Sequence, residues 1–348
     1  MQDKPFFFII GRPRSGTTLL RLLFEAHPNL LLPPESPFII ILYKKYEKIT
    51  HWNETIIKEF VEDLYKVRYF DKWLIDKKEL YDHLLKLKGE ATFKQMVMQV
   101  YESYHSVYEK KDITMIGDKN PMYSLYADRI HKLFPESKII HITRDYRDNY
   151  LSLINVNFEV PIVPIVIYRW KYALRKMWKL KEKQPELIYS IRYEDLVADP
   201  EHHCRLLCDF LGIEFDPSVL SFYEKKKDVE KAYKGAEDIS HIHKSLFNPI
   251  STERMDKWKT EMTPRQIKVA DLVMGKTAEK AGYNRMFPKF SPGLYLWIMP
   301  SLVYASIMYR LIMLGDHLPY GMRNSLNKTL GIFLKLYWKF NQRKVKPI

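Results

Sequence analysis

Phe6-Phe-Phe-Ile-Ile-Gly11-Arg-Pro-Arg14-Ser-Gly16-Thr-Thr-Leu-Leu-Arg21 carries the clearest structural signal in the chain. Its first five residues are apolar and end at Gly11, which predicts a strand buried on both faces. Leucines at helical spacing then predict a helix over residues 15–26. A buried strand, a glycine-containing turn and a helix are the opening of a parallel α/β unit.

Strands and helices alternate along the rest of the chain. Strands are predicted over 113–116, 138–143 and 187–191, and helices over 123–134, 147–157, 200–211 and 264–281. This alternation predicts an α/β fold, a three-layer α/β/α arrangement around a central parallel sheet. We expect a main domain over residues 1–288, with a helical insertion at about 40–110, and a helical C-terminal extension over 289–348.

Composition excludes several classes of protein. With 46% hydrophobic and 28% charged residues, the chain is neither disordered, collagen-like nor a coiled coil. Two cysteines exclude a disulfide scaffold and a four-cysteine zinc site. No secretory signal pattern is visible, so we expect a cytoplasmic protein. Within the net charge of +14, the basic tail could meet a membrane surface or nucleic acid, whereas the basic body indicates anionic ligands. We expect no nucleic-acid partner, and the oligomeric state stays open.

The turn after the first strand has the spacing G-x-x-x-x-G-x-T of a nucleotide phosphate loop. Backbone N–H groups at the start of a helix bind anions. A nucleotide-hydrolysing loop would place lysine where Thr17 stands, and no strand carries a suitable aspartate for Mg²⁺. The cation lies instead at Arg14, inside the loop. Such a loop can hold a phosphosulfate group without a metal.

The residues Arg14-Ser-Gly-Thr-Thr-Leu-Leu-Arg21, with Ala26-His-Pro28, resemble the 5′-phosphosulfate loop of sulfotransferases that use 3′-phosphoadenosine 5′-phosphosulfate (PAPS). The motifs are most similar to the tyrosylprotein and carbohydrate branch. The resemblance covers about residues 6–285 and implies PAPS as the donor, with no metal. The donor-binding residues that it implies are Arg12, Arg14, Ser15, Gly16, Thr17, Thr18, Arg144, Ser152 and Tyr193.

Three further segments agree with this resemblance. Arg144 follows a strand and precedes Ser152 by eight residues, the family's spacing for binding the 3′-phosphate. Arginine offers a bidentate fork and serine a hydroxyl donor. Tyr193 matches a tyrosine near the adenine. Residues 243–249 and 255–258 resemble the segment that closes over the nucleotide.

The reacting groups are predicted to be Glu35, Lys119 and Arg14. Glu35 lies 21 residues after Arg14 among apolar and proline residues, so we expect partial desolvation of its carboxylate. The resemblance implies Glu35 as the general base and Lys119 as the cation at the leaving oxygen, with Asp118 either orienting Lys119 or acting as the base. The histidines at 27, 141, 241 and 243 do not occupy the position of a family base.

The C-terminal extension combines an uncharged run with a basic end. Residues 291–309 carry no charge, which permits a membrane span, a lipid-contacting hairpin, or a core or subunit contact. Residues 326–340 are amphipathic and basic, typical of either a membrane-surface helix or a packed helix. After Asp316 there is no acidic residue, and the basic ones are Arg323, Lys328, Lys335, Lys339, Arg343, Lys344 and Lys346. We expect peripheral contact with the inner membrane face.

The sequence thus predicts an enzyme that transfers the sulfuryl group of PAPS to an acceptor hydroxyl by in-line displacement. The aromatic-rich insertion and apolar extension favour a hydrophobic alcohol, such as a sterol or another lipid, as the acceptor. A carbohydrate or a tyrosyl peptide remains an alternative acceptor. A P-loop nucleotide kinase and a non-catalytic membrane-associated protein are the competing functions.

Overall fold

The computed structural model describes residues 4–154, 156, 160–225, 248–318 and 322. Most of the predicted cap segment 243–249 and all of the basic segment 326–340 lie outside these residues. The chain divides into two compact units, Met1–Asp145 with Tyr172–Met255 and Tyr146–Lys171 with Asp256–Ile348. This division does not coincide with the domain boundary expected at residue 288, and that boundary stays a prediction.

The first unit contains a five-stranded sheet in which every described strand pair is parallel. Its strands in chain order are β1 (Phe6–Ile10), β2 (Leu30–Leu31), β5 (Met115–Lys119), β6 (Lys138–Thr143) and β7 (Ile188–Arg192). The spatial order is β2-β5-β1-β6-β7, so later strands are added on both sides of β1. Ligands of open parallel sheets bind at the carboxyl ends near such a reversal of strand order.

Helices of the first unit lie mainly between these strands in sequence. They are α1 (Thr17–Glu25), α2 (Phe38–Tyr46), α3 (Glu54–Lys66), α4 (Lys77–Leu85), α5 (Phe93–Glu102), α6 (Ala127–Leu133), α9 (Tyr193–Ala198) and α10 (Pro200–Leu211). Short 3₁₀ helices cover Phe70–Trp73, Pro121–Leu125, Pro185–Leu187 and Pro217–Lys225. The predicted insertion at 40–110 is therefore helical, with a small antiparallel pair of β3 (His51–Trp52) and β4 (Gly89–Glu90) added.

Strand β1 is fully buried, as its apolar run predicts. Phe7 and Ile9 belong to a core cluster with α1, α9 and α10 on one face of the sheet. On the other face, Phe6 packs against Tyr101 of α5 and against Phe134, with ring centroids 5.0 and 4.8 Å apart. Helices therefore cover both faces, and the predicted three-layer α/β/α fold is confirmed.

The second unit is helical in its described residues. It contains α7 (Tyr146–Ile154), α11 (Trp258–Glu261), α12 (Pro264–Met274), α13 (Thr277–Lys280) and α14 (Pro292–Gly315). The single helix predicted over 264–281 is interrupted, because Gly275 has φ of 53° and ψ of −152°. Residues with that backbone conformation cannot continue a right-handed helix.

Helix α14 continues through Pro300 rather than ending there. By length and composition alone, it is the one helix among the described residues that could cross a membrane. Most of its surface is exposed, and its fully buried side chains are Ile298, Ala305 and Tyr309. The helical nature of the extension is confirmed up to the end of the described residues.

Helix α8 (Val163–Lys183) begins in the second unit and ends in the first. The sequence prediction leaves this helix out. Its buried residues nevertheless follow a helical period, at Val166, Trp170, Ala173, Met177 and Leu180. Periodicity was the signal that could have identified it.

The tight packing of the sheet against α1 and β2 generates a testable prediction. A Cβ atom at Gly117 on β5 would lie 2.6 Å from the Phe7 ring and 2.9 Å from Leu32 Cγ. Overpacking a core in this way costs about 1–3 kcal/mol. We expect Gly117→Ala to lower the free energy of unfolding by that amount in denaturant titrations.

Gly293→Ala is the matched control, because its Cβ would meet no atom within 4 Å. An equal loss of stability in the two variants would contradict the packing explanation.

Candidate active site

The loop between β1 and α1 requires its two glycines. A Cβ at Gly11 would lie 2.4 Å from the carbonyl oxygen of Ile142 on β6. Gly16, with φ of 90°, would place a Cβ 2.5 Å from Tyr193 Cδ2. The backbone N–H of Ser15 donates to the carbonyl of Arg12 at 3.2 Å and closes a turn. The backbone of this loop therefore packs closely against Ile142 and Tyr193. The loop leads into the N-terminus of α1, and helix N-termini bind anions.

Arg14 lies within this loop in a strained and crowded position. Its φ of 69° is in the left-handed region, which costs a non-glycine residue about 1–3 kcal/mol. Burial, and to a smaller extent the positive charges of Arg254 and Arg144, lower its pKa to about 10. Three guanidinium groups so close together repel one another unless an anion compensates them. The cluster is therefore suited to a strongly negative group.

Arg144 directly follows β6 and is almost fully buried. Its guanidinium donates to the carbonyl of Arg14 at 3.3 Å and to the carbonyl of Arg254 at 2.6 Å. It also lies over the ring of Tyr193, 4.9 Å from the centroid. These contacts hold the guanidinium in one orientation beside the loop. Sequence reasoning did not identify Arg254. The available signal was its position directly before the Met255–Trp258 segment, which resembles the family's cap over the nucleotide.

Tyr193 begins α9 immediately after β7, and its buried ring contacts the backbone of Gly16. The neighbouring Glu194 accepts a hydrogen bond from the backbone N–H of Asp145 at 2.9 Å. This bond fixes the end of β6 to the start of α9. Tyr193 and Arg144 are therefore positioned by the same junction.

The remaining residues of the predicted donor set occupy the same loop or a following helix. Ser15 and Thr17 are buried, whereas Arg12 and Thr18 are half-buried. Ser152 is half-buried on α7, in the second unit, eight residues along the chain from Arg144 in the first. The structure brings the loop, Arg144 and Tyr193 together, and the pairing of Ser152 with Arg144 stays a prediction.

Glu35 and Lys119 form an ion pair at the edge of the sheet. Lys119 is the last residue of β5, is 4% exposed at its side chain, and is paired in register with Ile9 of β1. Its Nζ donates to Glu35 Oε2 at 2.6 Å. Glu35 is 24% exposed, and Arg68 Nη2 lies 3.9 Å from its second oxygen. The expected partial desolvation is present, but two cations face the carboxylate.

Asp118 lies on the opposite face of β5 from Lys119, because side chains alternate along a strand. Its Oδ1 accepts a hydrogen bond from Asn120 Nδ2 at 2.7 Å, and the same amide donates to the carbonyl of Ser36 at 3.2 Å. Burial raises the pKa of Asp118 to about 7, although interactions with Tyr101 and Tyr123 act in the opposite direction. Asp118 therefore orients the side chain of Asn120. The same side chain is hydrogen-bonded to Ser36, the residue next to Glu35.

Two of the histidines singled out in the sequence have structural surroundings. His27 Nε2 lies 2.9 Å from the carbonyl of Glu214, and its Nδ1 accepts from the N–H of Asn29. Burial lowers the pKa of His141 to about 4. His241 and His243 lie outside the described residues. Within the described parts of the chain, no three His, Cys, Asp or Glu side chains form a group that could hold a metal.

These groups provide what transfer of an anionic group to a hydroxyl requires. The loop and its arginines can bind and neutralise negative charge. A carboxylate and a lysine in direct contact can accept a proton and stabilise a leaving oxygen, respectively. The loop, Lys119 and Arg144 lie at the ends of β1, β5 and β6, and Glu35 lies a few residues after β2; the parallel pairing of these strands brings their carboxyl ends to one edge.

The buried carboxyl group of Asp118 generates a prediction about pH. Because its folded-state pKa is raised to about 7, its contribution to stability is full below its ordinary pKa and is lost as pH rises through 7. We expect Asp118→Asn to gain thermal stability relative to the parent protein between pH 5 and pH 8. Melting temperatures of both proteins across this range provide the measurement, with exposed Asp112→Asn as control. A difference that does not change with pH would exclude this role of burial.

A model of the sulfotransferase family matches residues 5–217 of the chain. Protein-tyrosine sulfotransferase 1 of Danio rerio is 24% identical over 294 residues, which are 81% of this chain and 73% of that protein. Protein-tyrosine sulfotransferase 2 of Gallus gallus is 24% identical over 269 residues, which are 74% of this chain and 64% of that protein. The match thus spans slightly less than two thirds of the second relative.

A similar fold is found in the solved sulfotransferase domain from the Synechococcus PCC 7002 olefin synthase. The TM-score is 0.52 at 22% identity, over 82% of this chain and 97% of that one. The family predicted from the phosphate loop and Arg144 is confirmed. Because the family model covers more than half of its residues, the chain belongs to the sulfotransferase family.

Proposed function

We propose that the protein transfers the sulfuryl group of PAPS to a hydroxyl group of an acceptor. The observation that carries this proposal is the Glu35–Lys119 contact of 2.6 Å at the strand edge that also carries the Arg14 loop. Glu35 is suited to accept the proton of a hydroxyl group. Lys119 and Arg14 are suited to stabilise negative charge on a departing oxygen.

The loop and the arginine cluster are assigned to the donor. PAPS carries a phosphosulfate group and a separate 3′-phosphate, both strongly anionic. The loop residues, headed by Arg14, are assigned to the phosphosulfate group, and Arg144 with Ser152 to the 3′-phosphate. Arg254 adds a third cation to Arg14 and Arg144. Tyr193, already in contact with Gly16 and Arg144, supplies an aromatic face for the adenine.

In the proposed reaction the donor supplies the sulfuryl group, and this chain moves the proton. The acceptor hydroxyl approaches Glu35, whose carboxylate lies between the cations Lys119 and Arg68. Glu35 takes the hydroxyl proton while Lys119 neutralises the oxygen that leaves. Asn120 keeps the Glu35 segment in place through the carbonyl of Ser36.

For the acceptor we propose a hydrophobic alcohol. The turn over residues 68–74 is fastened beside Glu35, since Trp73 Nε1 donates to the carbonyl of Pro34 at 2.8 Å. Tyr69 and Leu74 in this turn are 40% and 68% exposed, and both have positive φ. Strained, exposed apolar side chains at this position are typical of a binding surface. A carbohydrate or a tyrosyl peptide is the alternative acceptor.

We further propose that the protein works in the cytoplasm, in peripheral contact with an anionic membrane. Both cysteines, Cys204 and Cys208, are free and buried, as expected in a reducing compartment. Helix α14 exposes most of its apolar surface, and the sequence that follows it is basic. Such contact would bring a lipid-dissolved acceptor to the enzyme.

Donor recognition is tested by calorimetry with adenosine 3′,5′-bisphosphate in the absence of Mg²⁺. We expect the protein to bind it, and Arg144→Ala to weaken binding about 10–100-fold, because a charge-assisted phosphate contact is lost. Arg205→Ala is the control, since Arg205 pairs with Glu201 on the surface.

The analogue without the 3′-phosphate should bind the parent protein and Arg144→Ala with similar affinity. If the analogue binds the parent protein as tightly as the bisphosphate does, the donor assignment is wrong. A strict requirement for Mg²⁺ would favour a nucleotide kinase.

The chemistry is tested by mass spectrometry of products after incubation with PAPS and a panel of sterols, sugars and tyrosyl peptides. We expect Glu35→Gln to lower the rate about 10²–10⁴-fold, as loss of a general base does, without changing bisphosphate affinity. Glu54→Gln is a matched control, because Glu54 forms an exposed ion pair with Lys88, also at 2.6 Å.

A normal rate for Glu35→Gln together with an inactive Asp118→Asn would assign the base to Asp118 instead. Products formed only from sugars or peptides would overturn the proposed acceptor and leave the donor assignment intact.

A further inference from the structure

Helix α14 presents a large apolar surface that the described residues do not cover. Its buried seam is narrow, with Tyr309 against the ring of Tyr168 and Arg169. The exposed large side chains on it are Tyr295, Leu296, Trp297, Met299, Val303, Tyr304, Ile307, Leu311 and Leu314. A contiguous patch of this kind marks an interaction surface.

Charge distinguishes between the possible occupants of this surface. Arg310 is the only charged residue in α14, and the last acidic residue of the chain, Asp316, is buried. The sequence beyond it carries seven basic residues and no acidic one. A second copy of the chain would bring like charges together, whereas an anionic lipid surface complements them. Exposed Trp297, Tyr295 and Tyr304 are of the type enriched at membrane–water interfaces.

A pocket opens at the N-terminal end of α14. Its volume is ≈ 480 Å³, and it is lined by Pro264, Arg265, Lys268, Phe287, Gly293, Leu294 and Trp297. The pocket is shallow and wide open to solvent, as a site for a headgroup at a surface would be. The pocket has an apolar floor, two cations and no acidic lining residue. Its composition therefore suits a ligand with one anionic and one apolar part.

The two cations that line this pocket come from one helix. Arg265 and Lys268 are three residues apart on α12, so they share a face of that helix. The guanidinium of Arg265 lies 4.6 Å from the ring centroid of Trp297. Within the described ranges, neither cation has an acidic partner within ion-pair distance. They are therefore available for a phosphate group.

The opposite wall of the pocket is held firmly. The N–H of Phe287 donates to Asp271 Oδ2 at 2.8 Å, and Asp271 is completely buried. Arg147 Nη1 lies 3.6 Å from the other oxygen of Asp271 and offsets its charge. The negative charge of Asp271 is thus compensated inside the unit, and the pocket keeps its positive character.

We propose that this pocket binds the phosphate of an anionic phospholipid headgroup through Arg265 and Lys268. The acyl chains then lie along the exposed face of α14, beginning at Trp297. This site rests on the membrane contact proposed above, and it is independent of sulfuryl transfer. It would fix the orientation of the second unit at the lipid surface, which basic residues alone cannot do.

The test uses the full chain and flotation with phosphatidylcholine vesicles, with and without phosphatidylglycerol. We expect binding only to the anionic vesicles. The double variant Arg265→Ala/Lys268→Ala should lower the partition coefficient about 30-fold, which corresponds to about 1 kcal/mol for each basic residue at the surface. Lys276→Ala/Lys280→Ala is the matched control, since it removes two exposed charges from the same unit.

A second measurement places Trp297 at the lipid. Brominated acyl chains should quench the tryptophan fluorescence of the parent protein, and Trp297→Phe should remove most of that quenching. Calorimetry with adenosine 3′,5′-bisphosphate should give the same affinity for all these variants, which shows that they are folded. This control separates the headgroup site from the donor site.

Two results would overturn the site. If the partition coefficient falls equally in the two double variants, the interaction is non-specific electrostatic attraction. The membrane contact would then be supported without a specific headgroup site. No flotation of the parent protein with anionic vesicles would remove both the site and the membrane contact. Neither result bears on sulfuryl transfer, which is measured on a soluble acceptor without vesicles.

Discussion

The parallel pairing of β1 with β5 and β6 is the constraint on which the candidate active site depends. Phe6 to Ile9 pair in register with Ile116 to Lys119, and Phe7 to Ile10 pair with Lys138 to His141. Three chain segments far apart in sequence therefore end at one edge, where they present the Gly11–Gly16 loop, Lys119 and Arg144. A shift of β5 by one residue would exchange the faces of Asp118 and Lys119. The buried acid would then point toward Glu35, and the cation would be buried on the opposite face.

Positive charge at this edge is held in place by backbone carbonyl groups. Arg144 donates to the carbonyls of Arg14 and Arg254, so hydrogen bonds orient guanidinium groups that repel one another. The acceptor side is arranged differently. Glu35 lies between Lys119 and Arg68, and a hydrogen bond from Asn120 to Ser36 holds its segment in place. In the proposed assignment, the donor side therefore receives added negative charge, whereas the carboxylate of the acceptor side already faces two cations.

Local sequence was sufficient to predict β1, β6, α10 and the glycine loop. Their apolar runs and turn residues determine structure through neighbours only a few positions away. Glu35 and Lys119 could be chosen from the family's spacing, and the structure brings them into contact. Their contact itself joins residues 84 positions apart, so no local pattern predicts it. Arg254 and the Asn120–Ser36 bond have the same non-local origin. Helix α8 was missed because Pro161, Pro164 and β-branched residues stand near its start, where proline is tolerated.

The crowding of Arg14, Arg144 and Arg254 couples the stability of the folded protein to the binding of an anion. A protein that concentrates three cations around a left-handed Arg14 is stabilised by an anion that binds among them. Linkage makes this gain about 2.7 kcal/mol when the free anion is at a hundredfold excess over its dissociation constant. Bound donor would therefore stabilise the folded enzyme, and its removal would make the enzyme easier to unfold.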